Sequence, residues 1–101
     1  MEREKVVDCL CERMFVNNDD LVILEIWDEL TMLLSENVLE TIDFLNDCTE
    51  EQMFYISEII EDISYNVKSR EFIDVLYKLC EKYPNLKMES DVMLAESYME
   101  R

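Results

Sequence analysis

Apolar residues return every three or four positions along most of this 101-residue chain, the period of a helix with one face turned inward. The first such stretch, over about residues 2 to 15, sets Val6, Val7, Leu10 and Met14 on one side and Glu4, Asp8 and Glu12 off it. Asn17, Asn18 and Asp19 then break the pattern and supply oxygens able to cap a new helix. The second stretch, about 19 to 34, turns Ile23, Ile26, Trp27, Leu30, Leu33 and Leu34 inward and carries a narrower apolar strip of Leu21, Leu24 and Met32. Ser35 opens a third, to about Asn46, whose inner face reads Val38, Leu39, Ile42 and Leu45.

Thr49-Glu50-Glu51-Gln52 matches the capping box, in which the Thr hydroxyl and the Gln amide each satisfy the other's free backbone N–H. The fourth helix then runs to about Asn66, with Met53, Ile56, Ile59, Ile60 and Ile63 inward. Ser69 starts a fifth, striped by Phe72, Ile73, Leu76, Leu79, Cys80 and Tyr83, which Pro84 ends because proline cannot extend the ladder. A short last helix from about Ser90 uses Val92, Ala95 and Met99. The expected fold is all-α, a single helical domain over residues 1–101. About six short antiparallel helices form a bundle or a short helical-hairpin stack, as linkers this short favour.

Composition narrows the chemistry. Glycine is absent, which removes the dinucleotide fingerprint, the P-loop and the EF-hand turn, each needing a backbone approach that a Cβ blocks. Histidine is absent too, and with it the usual general base and most zinc sites. Carboxylates alone can catalyse, but here they are spread over helices without a positional pattern, so neither catalysis nor a cofactor or metal is expected. Cys9 and Cys11 point about 200° apart on a helix and cannot chelate one ion; with Cys48 and Cys80 they read as small core residues in a reducing compartment. No apolar run is long enough to span a membrane and the first residues are too charged for a secretory signal, so the expected location is cytoplasmic. A phosphopantetheine carrier role fails because no Asp-Ser precedes an apolar residue at a helix start.

Charge changes the picture most. The net charge is -16, and between Met14 and Val67 fourteen Asp and Glu residues occur without one Lys or Arg, whereas the flanking segments are nearly balanced. Acid concentrated in this way points to a face for a basic partner; phosphate would be repelled, so direct nucleic-acid binding is not expected, nor is a membrane. Aromatic residues among those acids mark where such a face would grip. Phe44 is placed about 160° from the apolar stripe of its helix, among Glu36, Glu40, Asp43 and Asp47. Phe54, Tyr55 and Tyr65 share the outer side of the fourth helix with Glu51, Glu58, Glu61 and Asp62. The candidate partner-binding residues are therefore Asp28, Glu40, Asp43, Phe44, Asp47, Glu51, Tyr55, Glu58, Glu61 and Asp62, with Glu58, Glu61 and Asp62 all expected on the solvent side.

The stretch EEQMFYISEIIEDISYNVKSREFIDVLYKLCEKYPNL resembles the helical hairpin of small bacterial immunity proteins, including those of contact-dependent growth inhibition and related polymorphic toxin systems. The resemblance rests on a capped helix, a Ser-x-Glu-Phe-Ile start at Ser69 to Ile73 and a Leu-x-x-Leu-x-x-Lys-Tyr-Pro finish at Leu76 to Pro84, within about residues 49 to 98. It implies a cytosolic protein that binds and blocks a toxin domain, often a nuclease, delivered by sibling cells. The expected function is thus an immunity protein acting on a basic toxin surface. The alternative is a small helical adaptor or regulator, a homo-oligomer through the second helix.

Overall fold

The helical repeats of the sequence fold into seven α-helices and no strand. The structure, a computed structural model, describes residues 1–101. α1 is Arg3–Phe15, α2 Val22–Ser35, α3 Val38–Asp47, α4 Glu50–Ile56, α5 Ile60–Val67, α6 Arg70–Lys82 and α7 Glu89–Met99, with a 3-10 turn at Pro84–Leu86. Every helix contributes to one cluster of 24 buried apolar residues. Both consecutive and distant helices meet there: α5 packs on both α2 and α7, α6 on α3 and α7, and α1 on α2 and α4. α5 and α7 approach closely because small residues face each other, and the Ser64 hydroxyl donates to the Ala95 carbonyl at 2.6 Å. No helix is long and apolar enough to cross a membrane.

Local chemistry sets most of the boundaries. At α4 the capping box is complete: Gln52 N donates to Thr49 Oγ1 at 3.1 Å and Thr49 N to Gln52 Oε1 at 3.0 Å. Thr49→Ala should therefore cost about 1 kcal/mol in urea unfolding; no change in midpoint would mean that the cap contributes nothing. Ser69 caps α6 by accepting from Phe72 N, and α6 stops before Pro84. Ser35, expected to open α3, is instead the last residue of α2, and the cap of α3 is Asn37, whose Oδ1 accepts from Glu40 N.

The expected fourth helix is divided in two. After Ile56 the ladder tightens, with Glu58 N bonding back to Tyr55 O and Ile59 N to Ile56 O, and the Ser57 hydroxyl takes the Phe54 carbonyl. The apolar pattern explains this. Met53, Ile56 and Ile59 are all buried and lie three apart, the period of a 3-10 helix, so a tightened turn keeps them in one line on the core. The break buries Ile59 and re-aims α5.

Two faces differ from the expected ones. On α1 the buried residues are Val6, Cys9, Leu10 and Arg13, while Val7 is exposed. On α3 they are Thr41, Phe44 and Leu45, while Leu39 is exposed. Three cysteines, Cys9, Cys48 and Cys80, are buried free thiols, and only Cys11 is exposed.

Candidate functional site

An open groove of about 670 Å³ runs between α2 and α5. α2 and the residue after it supply one wall through Asp28, Thr31, Met32, Ser35 and Glu36; α5 supplies the other through Asp62, Tyr65 and Asn66. These spacings of three and four are single helix faces, so two straight rows of side chains form the walls. A hydrogen bond from Asn66 Nδ2 to Ser35 Oγ, 3.1 Å long, ties the rows together. Three carboxylates and no cation line the groove, with Met32 and Tyr65 as its apolar surfaces, 60% and 55% exposed. The Lys68 ammonium sits over the Tyr65 ring, 4.2 Å from its centroid. It is placed there by a left-handed backbone at the end of α5, φ 49°, and also donates to the Tyr98 carbonyl.

Of the residues nominated from sequence, Asp28 and Asp62 meet in this groove although they are 34 positions apart. Glu61 lies beside it, half-buried. Burial raises its carboxyl above the usual range, and the negative charges of Asp91 and Asp62 push the same way. Asp91 reaches this neighbourhood only because α7 packs on α5, which nothing in its local sequence signals. Glu36, Met32 and Tyr65 complete the site, and the alternating outer row of α2 is the sequence signal that reveals the first two.

The other nominated acids lie elsewhere. Glu40 binds the amino group of Met1, Asp47 pairs with Arg3 at 3.1 Å, and Asp43 lines a shallow depression with Met1, Arg3 and Glu40. This patch on α3 is thus partly neutralised. Glu51 is exposed in the first turn of α4.

Phe44 and Tyr55 do not lie on the outer faces expected of them, whereas Glu58 is exposed as expected but already paired. Phe44 is a core residue, 4% exposed, with the Arg3 guanidinium 5.6 Å from its ring centroid. Its burial follows from Thr41, whose hydroxyl donates to Leu34 O at 2.7 Å and so becomes interior, rotating the buried face of α3 toward Thr41, Phe44 and Leu45. Tyr55 is half-buried, its ring 5.0 Å from the guanidinium of Arg13 and edge-on to Phe54.

Glu58 is not a free surface acid. Arg13 donates to it twice, Nε to Oε1 at 2.8 Å and Nη2 to Oε2 at 2.6 Å, in the fork geometry natural to a guanidinium and a carboxylate. Arg13 Nη2 also donates to Asn18 Oδ1, and Trp27 Nε1 to Glu58 Oε1 at 3.1 Å. The 3-10 break directs Glu58 to this junction of α1, α2 and α4, where it holds the helices in register.

No buried side-chain nitrogen or oxygen lacks a hydrogen-bond partner, and no three Cys, Asp or Glu side chains converge as metal ligands would. The arrangement is suited to recognition of a cationic surface: its three carboxylates are exposed and flanked by apolar side chains. No protein-family model matches the chain, no curated protein matches it, and no solved structure matches it.

Proposed function

We propose that this chain is an immunity protein that binds a basic toxin domain, a nuclease in the first instance, and neutralises it by stoichiometric occupation, without catalysis and in the cytoplasm. The observation that carries this reading is the α2–α5 groove, where Asp28, Glu36 and Asp62 stand without a cation among its lining residues. A nuclease must present positive charge to hold phosphate, and a folded surface of carboxylates competes for that charge. Beside the groove, burial foremost and then the charges of Asp91 and Asp62 disfavour the ionised form of Glu61, and a nearby cation would offset that. The resemblance of residues 49 to 98 to immunity proteins supports the same reading. Aromatic and apolar groups at the centre of such an interface supply affinity, and the acid rim supplies rate and selectivity.

Co-expression with the product of the adjacent gene tests the reading: the two should co-purify, and the activity of that product should be lost in the complex. Association should be steered electrostatically, so raising salt from about 0.05 to 0.5 M should slow the on-rate about tenfold or more while changing dissociation much less. An on-rate indifferent to salt would show that the acid block serves solvation only. The second reading, a small helical adaptor, is favoured by the exposed strip of Leu21, Leu24 and Met32 on α2. It predicts a complex with the partner's activity intact.

A further inference from the structure

The outer row of α2 alternates in chemistry at a spacing of four: Leu24, Asp28, Met32, Glu36. All four are exposed, and the row continues back to Leu21, 80% exposed at the start of the helix. A spacing of four along a helix forms the ridge against which a second helix packs, and here the ridge borders a groove whose far wall carries Asp62 and Tyr65. Apolar side chains exposed in a row are an unfinished packing surface; acids set between them restrict what can finish it.

We infer that this groove receives one amphipathic α-helix from the partner protein, with apolar residues meeting Leu24, Met32 and Tyr65 and Lys or Arg side chains meeting Asp28, Glu36 and Asp62. Three features select that occupant. The chain is all-helical and has no sheet edge, so an extended segment finds no strand to pair with, whereas a helix satisfies its own backbone. Asp28 and Glu36 lie eight positions apart along α2, so cations two turns apart on an incoming helix fall opposite them. A second copy of this chain is disfavoured, because a two-fold contact would set this acidic row against itself in a protein of net charge -16. The inference deepens the inhibitor reading and rests on it only for which protein supplies the helix.

The test uses a fluorescein-labelled peptide of about 15 residues, the length that covers α2, with Leu at i, i+3, i+7 and i+11 and Arg or Lys between. A scrambled peptide of the same composition is the comparison. Anisotropy should show the ordered peptide binding about tenfold or more tightly than the scrambled one, and its helicity should rise on binding. Asp28→Lys and Met32→Lys should each weaken it about fivefold or more, whereas Glu81→Lys, on the exposed side of α6 and outside the groove, should change it less than about twofold. Sedimentation of the chain alone should give a monomer. Equal binding of the scrambled peptide, an equal effect of Glu81→Lys, or a dimer that protects Met32 would each overturn the assignment. Neutralisation of the toxin that survives Asp28→Lys and Met32→Lys would overturn this assignment and leave the inhibitor reading standing. Peptide recognition as expected, with no toxin neutralised, would sink only the inhibitor reading.

Discussion

Phe44→Ala should destabilise the protein by about 3 to 5 kcal/mol, the range for emptying a buried phenylalanine site, and lower Tm by more than about 10 °C. The ring is 4% exposed and α3 has only ten residues, so little neighbouring structure can collapse into the space. Phe44→Leu, which keeps most of the volume, should cost about 1 kcal/mol. Differential scanning calorimetry and urea unfolding decide the matter. A Tm within about 2 °C of the parent, combined with weaker partner binding, would return Phe44 to the surface, where the sequence pattern had set it.

Breaking the Arg13–Glu58 pair from either side should have a comparable effect, but the two sides are not equivalent. Glu58→Ala should cost about 3 to 4 kcal/mol, because it leaves a guanidinium 5% exposed with only Asn18 and the Tyr55 ring for company. Arg13→Ala should cost about 3 kcal/mol or slightly less, since the Glu58 side chain is 23% exposed and can turn to water. Replacing both, as Arg13→Met with Glu58→Leu, removes the stranded charge and should cost less than either single change. A double-mutant cycle in urea at neutral pH measures the coupling. Single substitutions each below about 1 kcal/mol, or strictly additive effects, would refute the structural role given to the pair. The same geometry explains why reversing Glu58 to Lys is no clean test of a binding surface: it would set a second cation against the buried Arg13 guanidinium.

Local signals were legible where one or two residues settle a boundary. The Thr49 capping box, the Ser69 cap and the Pro84 stop act through their own backbone, so sequence alone places them. The all-helical class follows from the period and from the absence of glycine. Faces were read less well, because burial of a polar side chain depends on a partner elsewhere. Thr41 became interior through Leu34 O, and Arg13 through Glu58, 45 residues away. The break after Ile56 did leave a trace, the three-residue spacing of Met53, Ile56 and Ile59, but that spacing also fits a ragged α-helix. Of the candidate site, Asp28 and Asp62 were nominated separately, and only the packing of α5 on α2 makes them neighbours.

The distribution of the thiols gives the protein a built-in handle. Burial pushes Cys9 up to about 12, with Glu29 adding to the effect, and Cys48 up to about 11; burial also raises Cys80. Near neutral pH these three keep their protons inside the core, out of reach of maleimides and disulfide exchange. Cys11 alone faces solvent, on a helix that contributes no residue to the α2–α5 groove. One dye or spin label can therefore be attached to the unaltered chain at a known place, leaving the surface through which it is proposed to act free to engage.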